Sequence, residues 1–401
     1  MQQPAERQTG RTAPDASHGR QVRVLQVLNQ LGVGGIEQWL LHLLRHIDRD
    51  RFHVDVALAD LTRTEYYEEI EALGYTILPL PESGVFNYPR NFADLVAQHG
   101  PWDIVHAHVA MHSGPLMRAA RIAGVPVRIT HAQTTGYGAP GRPLRQRAYE
   151  WACRRWMLRD ATHLLALSRD AGESLFGSGV VDDPRFQLSL TMIDLSPFSA
   201  PVDTGVTRSS LGIPDGATIV GHVGRFVEQK NHEFLVRVAA EILKRREDVY
   251  FVLIGDGRDR EMIEQQIADL GLADHFRLLG TRHDVPDLLR SLVDLFLFPT
   301  RYEGLGRVVV EAQAAGLPCL VSDGVPVEAD VVEELVNRLT LADPPEIWAE
   351  EVLRVAAAEP EVTPAQARRA VEASEFNVLI TSQKLQTVWL DAVRSAAGET
   401  R

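Results

Sequence analysis

At 401 residues the chain is long enough for two or three domains, each with a core of its own. With 45% hydrophobic and 24% charged residues it has the composition of an ordinary globular protein, and a net charge of −13 argues against a general nucleic-acid binder, which carries a basic excess. The two cysteines, Cys153 and Cys319, make no close pair or metal-ligand spacing, which argues against a disulfide framework and suits a reducing cytoplasm.

Residues 1–20 are polar, with prolines, Ser17 and glycines but no apolar segment, so they read as a disordered tail and not a signal peptide. No apolar run approaches the ~20 residues of a membrane-spanning helix. Val22–Leu28 reads as a strand, apolar almost throughout as buried parallel strands are. A Gly-rich turn, Asn29–Gly35, leads to a helical pattern from Ile36 to Ile47. Gly34 and Gly35 can bring backbone N–H groups close to an anion, although Gly32, Gly34 and Gly35 do not form the dinucleotide fingerprint. A plain tight turn is the competing reading.

Further strands are expected at His53–Leu58, Thr76–Leu80, Asp103–His108, Val127–His131 and Leu164–Leu167, with a helix at Glu65–Leu73. This alternation predicts a doubly wound parallel sheet, whose ligands collect at the carboxyl ends of the strands. His106, His108, His131 and Ser168 fall near that edge. His106 and His108 are expected on opposite strand faces, so that only one faces the cleft and the pair makes no metal site. His131 could bond a sugar hydroxyl or a phosphate, or be structural. His42, His46 and His53 look incidental.

Arg142–Arg159 carries Arg142, Arg145, Arg147, Arg154, Arg155 and Arg159, interleaved with Tyr149, Trp151 and Trp156. Two readings stand. A basic helix with aromatics can lie on an anionic membrane surface. It can equally be a core helix with a solvated arginine face.

The pattern restarts after about residue 200, where Ser199–Ser210 reads as a linker. Thr218–Val223, Asp248–Ile254, Phe276–Leu279, Asp294–Pro299 and Pro318–Ser322 are expected strands. Helices are expected at His232–Arg245, Arg260–Leu270 and Val285–Ser291. The expected units are a tail at 1–20, an α/β unit at 21–198, a second at 199–377 and a C-terminal helix at 378–401, which is long enough to pack against either unit. Two such units joined by a linker imply a cleft. Arg225 and Lys230 flank a strand end and could both reach a diphosphate. In Arg301–Glu311, Gly304 and Gly306 permit a tight turn and a close backbone approach, and a helix can begin at Val308. Glu303 in the turn and Glu311 in the helix can address different parts of one ligand.

Taken together, these motifs resemble the retaining glycosyltransferases of family 4, over roughly residues 22–395. The resemblance rests on Gly32-Val-Gly-Gly-Ile-Glu37, Gly221-His-Val-Gly-Arg-Phe226 with Lys230-Asn231, Gly255-Asp-Gly257, and Glu303-Gly-Leu-Gly306 followed by Glu311-Ala-Gln-Ala-Ala-Gly316. It implies an α/β protein of the GT-B fold, two doubly wound Rossmann-like domains facing a cleft. The wording is most similar to the exopolysaccharide and capsule branch.

By the same resemblance, Glu303 would hold hydroxyls of the donor sugar and Glu311 the nucleotide ribose. Arg225 and Lys230 would bind the donor diphosphate. Backbone groups at Gly35, Leu305 and Gly306 would assist, His131 would touch the sugar or position the reaction, and Arg282 and His283 would lie beside the nucleobase. The implied donor is a nucleotide sugar, usually of UDP, and the acceptor a glycan or a lipid-linked hydroxyl. No cofactor or metal is implied, since Arg225 and Lys230 would stand in for a divalent cation. The implied location is the cytoplasm, with a peripheral contact at the inner membrane face left open. The chain departs from the family at Leu305-Gly306, where proline or phenylalanine is common, and at Leu190–Asp194, which lacks the usual Asn-Gly. A non-hydrolysing UDP-sugar epimerase and a non-catalytic nucleotide-sugar-binding protein are the alternatives.

Overall fold

The computed structural model describes residues 20–32, 34–80, 84–136 and 143–398. The expected tail up to residue 19 lies outside them, as does Arg142. The first half runs β1 (Val22–Leu28), α1 (Gly35–His46), β2 (Phe52–Leu58), α2 (Glu65–Ala72), β3 (Thr76–Pro79) and α3 (Gly84–His99). It continues with β4 (Ile104–Ala107), α4 (Ser113–Ile122), β5 (Val127–Ala132), α5 (Leu144–Asp160), β6 (His163–Ala166), α6 (Arg169–Phe176), β7 (Phe186–Leu188) and the short α7 (Ser196–Ser199).

The second half runs β8 (Thr218–Val223), α8 (His232–Leu243), β9 (Val249–Ile254), α9 (Arg260–Asp269), β10 (Phe276–Leu278) and α10 (Val285–Ser291). Then follow β11 (Leu295–Phe298), α11 (Arg307–Ala314), β12 (Cys319–Ser322), β13 (Val336–Leu339), α12 (Pro345–Ala357), α13 (Pro364–Glu372) and α14 (Val378–Ala396).

Among the described residues the strands form two wholly parallel sheets. The first has the order β3-β2-β1-β4-β5-β6-β7 and the second β10-β9-β8-β11-β12-β13. Helices cover both faces of each sheet, so the central strands are apolar on both sides. Along β1, Leu25 and Val27 enter one core while Val24 and Leu28 enter the other. In β11, Leu295 and Leu297 face one way and Phe296 and Phe298 the other. β7 and β13 were not foreseen, because they are edge strands of three and four residues without a fully buried position.

Helix starts follow capping chemistry. Thr64 Oγ1 accepts from the Tyr67 N–H at the head of α2, and Ser168 Oγ from that of Ala171 at the head of α6. Thr363 and Gln366 form a reciprocal capping box at α13. The chain crosses between the lobes twice, and the two crossings touch. The Ile193 N–H donates to the Phe376 carbonyl and the Val378 N–H to that of Ile193. Beyond this point α14 packs on the first lobe. Its Leu385, Trp389 and Ala392 share a core with Leu44 and Phe52, and Gln386 Oε1 accepts from the Asp48 N–H at 2.9 Å.

Candidate active site

In each sheet the strand order reverses at one place, between β1 and β4 and between β8 and β11. Loops leaving the carboxyl ends there diverge and open a crevice that suits a ligand. In the second lobe these are Gly224–Asn231 after β8 and Pro299–Gly306 after β11.

Hydrogen bonds stitch the two loops together. The Gln229 carbonyl accepts from Thr300 Oγ1 at 2.9 Å and from the Arg301 N–H at 2.8 Å. Asn231 is buried in the left-handed region at φ 57°, and its amide donates to the Pro299 carbonyl at 3.0 Å. This frame sets Lys230 Nζ 2.7 Å from Glu303 Oε1, and Thr300 Oγ1 donates to the same oxygen at 2.7 Å. The Lys230 ammonium also lies 4.7 Å from the Phe298 ring centroid. A carboxylate so bound has one oxygen fixed. Sequence reasoning found Glu303 and Lys230 but missed Gln229 and Thr300, whose only signal was their place beside a strand end.

Arg225 is exposed, and its side chain makes no hydrogen bond or ion pair with a described residue. Its positive charge reaches Glu37 in the first lobe. Burial raises the Glu37 carboxyl, opposed by hydrogen bonds from the Glu37 and Gly32 N–H groups and by Arg225. That carboxylate curls back beside Gly34, the residue preceding α1, while the space around Gly35 is open. A free guanidinium therefore stands opposite a Gly-rich turn, with Lys230 five residues on.

The first lobe meets this site directly. Ser168 Oγ donates to the Gly304 carbonyl at 2.6 Å and Thr135 Oγ1 to the Glu303 carbonyl at 3.2 Å. A methyl group on Gly304 would overlap the Gln133 backbone carbonyl, so only glycine lets the two segments come this close. Gly306 precedes α11 at φ 85°, a conformation in which a side chain is strained. Leu305 between them is buried in the second-lobe core. Glu311 Oε1 accepts from Arg307 Nε at 2.8 Å, and Arg307 Nη1 donates to Gln38 Oε1 across the cleft at 2.6 Å. Arg282 is paired with Asp284 at 2.8 and 2.6 Å, which holds the Asp284 carboxyl down at about 2, and His283 is exposed beside it.

The expectation that His106 and His108 point to opposite faces is wrong. Strand side chains repeat every two residues, so positions two apart share a face. Their ring centroids are 4.4 Å apart, and both pack on Trp39 and His131. All three imidazoles are buried, and burial lowers them, His131 to about 3. His131 Nε2 lies 3.3 Å from the Ser189 carbonyl. The donor atoms of the trio lie within 4.8 Å of one another, a spacing a metal ion could use. His108 is also engaged on both sides: Nε2 donates to Gln26 Oε1 at 2.8 Å, and Nδ1 accepts from the Gln133 amide at 2.6 Å. His108 thus props Gln133, the residue that seats Gly304.

Residues 34–189 match the family described as "Glycosyl transferase 4-like domain", and residues 203–373 the family "Glycosyl transferases group 1". The "Putative glycosyltransferase EpsF" of Bacillus subtilis is 37% identical over 343 residues, which cover 84% of this chain and 88% of that one. An Escherichia coli "UDP-Gal:alpha-D-GlcNAc-diphosphoundecaprenol alpha-1,3-galactosyltransferase" is 28% identical over 59% of this chain and 65% of its own length. Among solved structures, Anabaena Alr3699/HepE in complex with UDP and glucose superposes with a TM-score of 0.74 at 20% identity, covering 92% of this chain and 99% of that one. The paired switch points are therefore the facing halves of a GT-B architecture, and the chain belongs to the family 4 glycosyltransferases.

Proposed function

We propose that this glycosyltransferase takes its sugar from a UDP-sugar and delivers it, with retention at the anomeric carbon, to a hydroxyl of a lipid-linked glycan in exopolysaccharide or capsule synthesis. One observation carries the reading: unpaired Arg225 and Glu303-bound Lys230 stand together at the switch point facing the first-lobe glycine turn. The pair suits a diphosphate, and charge-assisted bonds contribute about 1.5–3 kcal/mol each. The names of relatives support the finer terms, since HepE was captured with UDP and glucose and the Escherichia coli enzyme is named for transfer to a diphosphoundecaprenol-linked sugar.

In this reading the bond between the anomeric carbon and the phosphate oxygen breaks as Arg225 and Lys230 take up the developing charge. The acceptor oxygen bonds the same face of the sugar, and its proton passes to the departing phosphate. Glu303 positions the sugar hydroxyls, Glu311 the ribose, and Arg282 and His283 border the base. His131, buried beneath the loop of Gln133, acts through that loop. Positive side chains replace a divalent cation, so transfer survives a chelator. Nucleotide sugars are a cytoplasmic resource, and the free, buried Cys153 and Cys319 fit that compartment.

A panel of nucleotide sugars, scored first by thermal stabilisation and then by transfer, tests the reading. UDP-sugars are expected to stabilise the protein, and the product is expected to keep the donor's anomeric configuration by NMR. An inverted product, or interconversion of free donor without transfer, would refute it.

A further inference from the structure

α5 carries five arginines against Glu150 and Asp160, in a chain whose net charge is −13. Its inner side, Glu150, Cys153, Met157 and Asp160, is buried. On its outer side Leu144 is 79% exposed and Trp151 65% exposed. These are the two most exposed large apolar side chains among the described residues, and they stand two turns apart on one helix face.

The arginines divide into two groups. Arg159 is held by Asp160, and Arg154 donates to the carbonyls of Ser174 and Leu175. Arg145, Arg147 and Arg155 are without an ion-pair partner among the described residues, and the Arg155 guanidinium lies 5.9 Å from the Trp151 ring centroid. Apolar side chains ringed by unpaired cations match a bilayer surface, with acyl boundary beneath and phosphates around. No helix of the described residues is long and apolar enough to cross a membrane.

Position strengthens the case. A helix after a parallel strand starts at the sheet's carboxyl edge. The segment after β5 includes Thr135, which bonds the Glu303 carbonyl. The exposed first turns of α5 therefore lie on the cleft side of the lobe.

We propose that the first turns of α5 dock this protein on an anionic bilayer, with Leu144 and Trp151 at headgroup depth and Arg145, Arg147 and Arg155 on lipid phosphates. The inference rests on the proposed lipid-linked acceptor, which would then be met at the membrane surface beside the cleft.

The test is flotation of the full chain with phosphatidylcholine vesicles, with and without about one third phosphatidylglycerol. Binding is expected only with the anionic lipid and is expected to weaken in about 0.5 M salt. Arg145→Glu/Arg147→Glu/Arg155→Glu is expected to lower the partition at least about tenfold. Trp151→Ser, at an exposed position that folding does not need, is expected to remove the part of binding that survives salt. Both variants are expected to keep the wild-type Tm and UDP stabilisation; if the triple variant melts early, Trp151→Ser decides.

Equal binding to neutral vesicles, no binding to either, or variants that bind like wild type would overturn the proposal. So would a dimer that Trp151→Ser dissociates, since a second copy would then cover this face. Transfer to a soluble acceptor without vesicle binding defeats docking and leaves the enzymatic reading intact. Vesicle binding without any transfer does the reverse.

Discussion

Lys230 and Glu303 neutralise each other at 2.7 Å, whereas the Arg225 side chain has no partner among the described residues and is therefore the group most available to an incoming anion. Arg225→Ala is expected to lower kcat/KM at least ~10-fold, the lower end of one charge-assisted bond. Wild-type kinetics in that variant would remove Arg225 from the site. Glu303→Gln keeps the shape but weakens the hold on Lys230 and on a sugar hydroxyl. Its turnover is expected to fall further than its affinity for UDP, measured by calorimetry; equal losses would make Glu303 a general binding residue. Both residues were legible in the sequence because each sits in a turn after an apolar strand. Thr300 and Gln229 were not, since a hydroxyl and an amide gain meaning only once β8 and β11 are seen side by side.

The turn between β11 and α11 shows what an element adds. Gly304 reads in sequence as a flexible turn residue, but its reason lies in the other lobe, where the Gln133 carbonyl fills the place of a side chain. Gly304→Ala is expected to keep the lobes apart and to reduce transfer by about 100-fold, since a shift near 1 Å at a reacting centre has that effect. Circular dichroism of the variant is expected to match wild type; unaltered transfer would show that the lobes need not close this far. Elements were legible where both faces are buried, as in β1 and β8, whose bounds follow from their apolar runs. The edge strands β7 and β13 were not, because partial burial leaves no periodic signature.

Over the whole molecule, buried neutral histidines link stability to pH. Burial is the main cause that lowers His42 and His222 to about 4 and His131 to about 3, from an ordinary value of 6.5. The unfolded chain thus binds more protons below 6.5, so the stabilisation is complete above that value and is lost as pH falls towards 4. Tm is expected to be flat above about pH 7 and to drop steadily between about pH 6.5 and 5; a Tm independent of pH in that window would show that these rings titrate freely. At the same scale, α14 returns from the second lobe to complete the core of the first, with Trp389 and Phe52 ring centroids 5.6 Å apart. Trp389→Ala is expected to cost about 3–5 kcal/mol of stability by denaturant unfolding. A loss under about 1 kcal/mol would mean that α14 adds little to that core.

The order of the buried strands, the two repeating α/β units and the glycine-bearing turns at their ends were determined by the sequence alone. Apolar period, glycine placement and turn chemistry are local, and local patterns can be read along a single chain. Tertiary structure decided which lobe α14 completes, that His106 and His108 share a face with His131, and that Gln133 meets Gly304 across the cleft. Each of these depends on segments far apart in the chain being brought together, and only the closure of two sheets and the contact of their loops brings them there.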